Sequence, residues 1–559
     1  MPESRLILDH VLSHVEQQPN RVYLTQPIGG GAVKDYTWAQ VVDESRRMAA
    51  HLQGLGLQPG ARVAMLSKNC AHFIMAELAI WMAGCTTVAI FPTETAETIA
   101  YVLEHSGSSL LFVGKLDSWP QQQRGVPAGL PCVALPLAPP NDFDTWDAIV
   151  ARTPPLAGRP QRQGDDLAML LYTSGSTGTP KGVMSSFSAI TAAGELISAD
   201  TRSRVGAETE SRMLSYLPLA HSYERSWVGA SSLVDGRTQV YFAETLDTFL
   251  QDLQRARPTL FISVPRLWLK FQQGVFTKMP PAKLSRLLAI PLLGRLVARK
   301  VRKGLGLDQV IVAGSGSAPI PADLIIWYRR LGLALYEGYG MTEDNSYSHS
   351  SSAAFNAPGY VGTAMAGVQV RISPDGEILI KSPACMSGYY KQPELSAESF
   401  TEDGYFRTGD LGELRSDGLL KITGRAKELF KTAKGKYVAP APMENRINAH
   451  PMVEMSMVSG VGQPAAYAMV LLAEALRPRL ADPAVRQQVQ SEMEKLLKEA
   501  NSGVADYAQL RMIVIAHEPW TIENGFLTPT MKLKRNRIEA AVAPLVARWY
   551  EDGHKVQWA

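Results

Sequence analysis

The run Tyr172-Thr173-Ser174-Gly175-Ser176-Thr177-Gly178-Thr179-Pro180-Lys181-Gly182 crowds hydroxyls, glycines and one lysine into a single stretch. Glycines let backbone N–H groups approach phosphate oxygens, hydroxyls donate further bonds, and a lysine adds a point charge. That is chemistry for a polyanion. The pattern is not a Walker A loop, because Gly182 stands where that loop places Ser or Thr after its lysine, so the magnesium-binding hydroxyl must be replaced elsewhere. No GxSxG elbow is present, and Cys70, Cys85, Cys132 and Cys385 lie too far apart for a metal cluster or a CxxC pair. A covalent nucleophile is therefore not expected.

The loop follows LAMLLY (167–172), an apolar run that reads as a buried strand, which places it where ligands bind in open α/β sheets. Upstream, RVAMLS (62–67), CTTVAIF (85–91) and SLLFVG (109–114) read as strands alternating with helical stretches, so βαβ units and a parallel sheet are expected. Residues 117–165, rich in Pro, Gln and Ala, read as a long surface connection. From 360 to 422, short strands with turn signals predict a small β-rich subdomain. Beyond Gly424 a compact α+β segment is expected, with a helix over 485–500 and a strand over 510–516.

The whole chain sets bounds on these readings. It has 559 residues, 46% hydrophobic and 19% charged, which is enough apolar material for two or more packed units and excludes a disordered chain. The net charge of +3 shows no footprint of a nucleic-acid binder. The N-terminus lacks a signal-peptide core, and the apolar stretch Leu78 to Thr93 is too short to span a bilayer. A soluble cytoplasmic protein is expected.

YTSGSTGTPKG resembles the signature of the AMP-forming adenylating superfamily of acyl-CoA synthetases, luciferases and peptide-synthetase adenylation domains. Four further runs follow in that superfamily's order: YEGYGMTE (336–343), YFRTGDLG (405–412), GRAKE (424–428) and KGKY (434–437). LPLAHSYER (217–225) and LTPTMKLKR (527–535) resemble runs of its long-chain fatty acyl-CoA synthetase branch. The resemblance implies an α/β fold, with a large N-terminal adenylating domain (1–423, βαβ subdomains plus the β-rich subdomain) and a smaller, mobile α+β C-terminal domain (424–559). The hinge falls near Gly424, where many relatives carry Asp.

The same resemblance implies roles for single residues. Thr173, Ser174, Gly175, Ser176, Thr177, Gly178 and Lys181 hold the β- and γ-phosphates of ATP. Glu343 takes Mg²⁺ and Thr342 bonds the α-phosphate. Gly316, Ser317 and Ala318 run along the adenine, with Tyr339, between Gly338 and Gly340, covering one face. Asp410, assisted by Arg425, accepts from the ribose. Lys532 bridges the substrate carboxylate and the α-phosphate, and His221 lies near that carboxylate. Lys434, Gly435 and Lys436 approach for the second step, in which CoA displaces AMP. Trp227 either gates an acyl tunnel or is plain core. The expected partners are a fatty acid, ATP and CoA, with an acyl-AMP ligase using a carrier protein or a non-catalytic nucleotide- or lipid-binding relative as alternatives. Leu284 to Gly306 joins an apolar half to a basic half; such an amphipathic segment can lie on an anionic membrane surface, but the favoured reading is two helices packed on the core with a solvated basic end. Peripheral membrane association and a homodimer are left open.

Overall fold

The computed structural model describes residues 5–174, 179–206, 209–528 and 531–559. Its central sheet has eight strands, in the order Gly388–Tyr389, Pro180–Ser186, Leu167–Ser174, Thr86–Ile90, Arg62–Leu66, Ser108–Val113, Cys132–Ala134 and Asp144–Thr145. From Leu167–Ser174 onward every neighbour is parallel, and Pro180–Ser186 returns antiparallel as a hairpin. All five residues of Thr86–Ile90 are buried, as a strand covered on both faces requires. The helix Ala71–Met82 is buried at each of its twelve positions, which fits a sequence that is apolar apart from His72 and Glu77.

A second sheet aligns Leu260–Ser263, Val312–Ser315 and Leu335–Tyr339 in parallel, with His349–Ser350 and Thr363–Ala364 antiparallel at its edge. The β-rich segment is a four-stranded antiparallel sheet of Gln369–Ile372, Glu377–Lys381, Phe406–Leu414 and Leu420–Arg425. The C-terminal segment folds on Val453–Ser459, Ala466–Leu472, Leu510–Ile515 and Val556–Trp558. Period-two alternation serves two cores there. Ala466, Ala468, Val470 and Leu472 face the helix Pro483–Asn501, whereas Tyr467, Met469 and Leu471 face the helix Arg535–Asp552.

Residues 117–165 depart from expectation. They add two strands to the central sheet, and Trp119 and Trp146 are buried. Large aromatic side chains have enough apolar area to anchor a proline-rich stretch that composition alone assigns to the surface. No described helix is long and apolar enough to cross a membrane.

Candidate active site

Four separate loops converge where the two parallel sheets meet the β-rich sheet. Asp410 and Arg425 are register partners on adjacent strands, so the ladder itself brings them together. Arg425 Nε lies 2.9 Å from Asp410 Oδ1, and Tyr339 Oη donates to Asp410 Oδ2 at 2.7 Å. Asp410 is 4% exposed, and the turn before it needs Gly409 at φ +71°. The carboxylate is thus aimed by two donors from two elements, with lone pairs left for a diol.

The turn Thr342–Asp344 follows directly from the strand Leu335–Tyr339. Buried Asp344 accepts from Met341 N at 2.8 Å and from Tyr347 N at 3.3 Å, and burial raises its carboxyl to about 7. Glu343 is held by its backbone, its O accepting from Met386 N at 2.7 Å, and by Tyr389 Oη, which donates to Oε1 at 2.9 Å. Lys181 Nζ sits 5.3 Å from the centre of the Tyr389 ring, so one tyrosine spaces the lysine from the glutamate. Thr173 and Lys181 are direct register partners across the hairpin, as are Ser174 and Pro180. Gly175, Ser176, Thr177 and Gly178 lie outside the described residues.

His221 caps the short helix Ser222–Glu224, its Nδ1 accepting from Tyr223 N at 3.1 Å. That bond puts the neutral ring's proton on Nε2. Burial, reinforced by the charge of Lys532, lowers its pKa to about 3, so His221 is a neutral donor at physiological pH. Ser222 Oγ lies 3.4 Å from Thr342 Oγ1 and 2.8 Å from Ser346 Oγ, which couples the histidine loop to the glutamate turn. Trp227 Nε1 donates to Ser346 O at 3.0 Å, tying a third point to the same turn. Residues Arg225–Ala230 form a π-helical stretch, an irregularity frequent beside functional sites.

The adenine loop expected at Gly316, Ser317 and Ala318 leaves the strand Val312–Ser315, with Ser317 at φ +67°. A Cβ on Gly316 would lie 3.1 Å from Tyr223 Cζ, so glycine permits close approach to that ring. On Gly340 it would lie 2.7 Å from the Ser346 carbonyl carbon, and on Gly338 3.5 Å from His349 O.

Lys532 enters from the C-terminal segment. Thr528 builds its loop: Thr528 N donates to Lys532 O at 2.8 Å, and Lys532 N donates to Thr528 Oγ1 at 3.0 Å. Behind it, Arg535 makes a bidentate pair with Glu444 at 2.7 and 2.6 Å. Lys532 is exposed in the open cleft, yet the protein walls around its ammonium depress its pKa first and Arg425 second, against Asp410, Glu343 and Glu428. Lysine 532, His221, Asp410, Arg425 and Glu343 therefore share one electrostatic neighbourhood. Lys434, Gly435 and Lys436 do not join it, because they form the exposed turn between Phe430–Lys431 and Tyr437–Val438. Gly424 pairs with Leu411 beside a register shift in the ladder, and its φ is not positive.

The profile of AMP-binding enzymes matches residues 11–390, and that of the AMP-binding enzyme C-terminal domain matches 428–554. The chain belongs to the AMP-binding enzyme family. Among its relatives in this family is a long-chain-fatty-acid–CoA ligase, FadD15, of Mycobacterium bovis, 31% identical with 94% of each chain covered. The peroxisomal long chain acyl-CoA synthetase 7 of Arabidopsis thaliana is 28% identical, covering 99% of this chain and 87% of that one. The A-PCP didomain of carboxylic acid reductase from Segniliparus rugosus, in complex with AMP, shares the fold at a TM-score of 0.80 and 22% identity, over 98% of this chain and 82% of that chain.

Three residues have no role assigned from the sequence, although Ser222 lies within LPLAHSYER. Asn69 ties the histidine loop to the central sheet: its Oδ1 accepts from Leu219 N at 2.9 Å and its Nδ2 donates to Leu217 O at 2.6 Å. Tyr389 and Ser222 orient Glu343 and Thr342 as described. Asn69 stands three residues after the strand Arg62–Leu66, a position that does not disclose its partners. Gly340→Ala should push the Thr342–Asp344 turn off Ser346, destabilising the fold by about 1–3 kcal/mol in urea unfolding. An unchanged midpoint would show that the turn absorbs a methyl group.

Proposed function

We propose that this chain activates a long-chain fatty acid with ATP, forming an acyl-adenylate and pyrophosphate, and then transfers the acyl group to CoA with release of AMP. The observation that carries the reading is the meeting of Lys532, His221, Thr342, Glu343 and the Asp410–Arg425 pair in one cleft. The names of the relatives supply the acid class.

The chemistry follows from the charges. A carboxylate oxygen attacks the α-phosphorus, the P–O bond to pyrophosphate breaks, and negative charge gathers on both phosphate groups. Protein groups act here mainly by positioning and charge stabilisation. Lys532 offers the cation between carboxylate and α-phosphate, neutral His221 donates from Nε2 without repelling it, and Thr342 Oγ1 reaches the α-phosphate. Thr173, Ser174, Gly175, Ser176, Thr177, Gly178 and Lys181 take the β- and γ-phosphates. Gly316, Ser317, Ala318, Gly338, Tyr339 and Gly340 form the adenine slot. Glu343 suits Mg²⁺, since among the described residues only one of its carboxylate oxygens accepts a hydrogen bond, and an ion held there would complete its shell with phosphate and water oxygens. When bound, the ion neutralises charge on the phosphates. In this reading 1–423 is the adenylating domain and 424–559 rotates near Gly424 to bring Lys434, Gly435 and Lys436 to the cleft for CoA. A long apolar substrate also makes peripheral contact with a membrane part of the proposal.

The test is pyrophosphate and AMP release across carboxylic acids from acetate to icosanoate, with aryl and branched acids, with and without CoA. Turnover that needs CoA and peaks between dodecanoate and octadecanoate is expected. Pyrophosphate release indifferent to CoA would replace CoA with a carrier protein, and silence with every acid would leave a binding protein. In the same assay, Asp410→Ala should raise KM for ATP about 10- to 100-fold, the worth of a charge-assisted hydrogen bond. An unchanged KM would remove Asp410 from the ribose.

A further inference from the structure

Between Leu253 and Leu307 the chain carries twelve Lys and Arg and no Asp or Glu. Outside that stretch the balance reverses, to 44 Lys and Arg against 53 Asp and Glu. Three of the twelve are paired: Arg255 with Asp252 at 3.1 Å, Arg257 with Asp308 at 2.6 Å, and Arg266 with Glu454. The other nine make no ion pair among the described residues, and six of them (Lys283, Arg286, Arg295, Arg299, Lys300 and Lys303) are exposed on the helices Pro281–Leu288 and Leu293–Gly304 or their ends.

The corner between these helices is equally unusual in its apolar residues. Ile290, Leu292, Leu293 and Leu296 are 46, 73, 41 and 65% exposed. Leu292 stands at the apex with φ +63°, a conformation that costs a leucine steric strain in addition to its exposure. The corner is also tightly built, since a Cβ on Gly294 would meet Leu288 O at 2.4 Å. The two helices are those expected from the sequence, but their apolar half is not all turned inward: among residues 289–298 only Gly294 and Ala298 are buried.

We propose that this corner docks the protein on an anionic lipid bilayer, with Leu292 and Leu296 inserting among the acyl chains and the surrounding cations lying against headgroup phosphates. A strongly basic face with leucines at its tip is the complement of a bilayer interface, where apolar burial and phosphate attraction act together. A second copy of the same face is repelled by like charge. A nucleic acid leaves the four aliphatic side chains without an apolar partner. The inference extends the proposed membrane contact of the functional reading but does not depend on the acid that is activated.

Sedimentation of the full chain with vesicles tests it. Binding is expected to phosphatidylcholine vesicles containing phosphatidylglycerol, not to phosphatidylcholine alone, and to fall as salt rises. Leu292→Glu/Leu296→Glu, and separately Arg295→Gln/Arg299→Gln/Lys300→Gln/Lys303→Gln, should each cut the bound fraction about tenfold. Turnover of a dissolved medium-chain acid should be unchanged, because none of these residues lines the cleft. Variants that sediment like the parent, or a parent that ignores anionic vesicles, overturn the proposal. So does tighter binding of the parent to an oligonucleotide, or a leucine variant that only turns dimers into monomers. Loss of turnover in the parent with vesicle binding intact would strike the functional reading alone.

Discussion

Lys532→Ala should lower acyl-adenylate formation about 10³-fold while the affinity for ATP changes little, since removing one preorganised charge from a transition state costs about 10²- to 10³-fold or slightly more. The reasoning is spatial. Lys532 is the cation that the loop capped by Thr528 lowers onto His221, Asp410 and Glu343. Its task arises as carboxylate and phosphate approach, so the loss belongs in kcat, not in ground-state binding. The second half-reaction, started from synthetic acyl-adenylate and CoA, should keep most of its rate. Because desolvation and Arg425 depress the ammonium's pKa, kcat/KM for adenylation should decline on the alkaline side at a pH below that of a free lysine. Bound anions restore the proton, so kcat should decline at higher pH. An alanine variant with the parental adenylation rate would remove Lys532 from the chemistry.

The second large effect lies under the site. Arg225 and Glu77 are 1 and 4% exposed and form an ion pair inside the protein, with the guanidinium carbon 5.1 Å from the centre of the Phe73 ring. Burial drives the Glu77 carboxyl upward and Arg225 opposes it. Removing Arg225 strands a carboxyl in an apolar interior, so Arg225→Met should cost about 3–5 kcal/mol in urea unfolding. Glu77→Gln/Arg225→Met should recover a good part of that, because neither residue is then left as a lone charge. The effect should reach catalysis too, since Arg225 opens the π-helical stretch next to His221. A single variant within 1 kcal/mol or so of the parent would mean that the pair contributes only shape.

What the sequence discloses is what is local. LAMLLY reads as a strand because burial on both faces imposes one unbroken apolar run, and Asp410 and Arg425 fall into register because two adjacent strands are joined by a short turn. The converse holds for groups that meet across the fold. Glu77 lies in a helix apolar enough to read as pure core, and its partner is far along the chain. Asn69 gives no hint that it holds Leu217 and Leu219. Trp119 and Trp146 are hidden by the prolines around them, whose turn chemistry outweighs two aromatics in any count. The exposure of Leu292 and Leu296 goes against the favoured core-packed reading of 284–306, because periodicity does not tell a face turned to the core from one left outside. On the proposed two-pose reading, the sequence holds both Lys532 and Lys434 and does not tell which of them faces the cleft.

The ladder that joins Asp410 to Arg425 closes immediately before the short turn Ala426–Glu428. If the proposed rotation near Gly424 pivots in that turn, just beyond the 423/424 boundary, the carboxylate, its arginine and the Tyr339 hydroxyl stay together on the stationary side. The nucleoside would then be gripped equally before and after the swing, while Lys532 is exchanged for another face of the small domain. Such a protein releases its products in a fixed sequence: pyrophosphate early, thioester next, AMP at the end. On that reading AMP should compete with ATP, and product inhibition by AMP that is not competitive would show that the grip on the nucleoside is not kept through the swing.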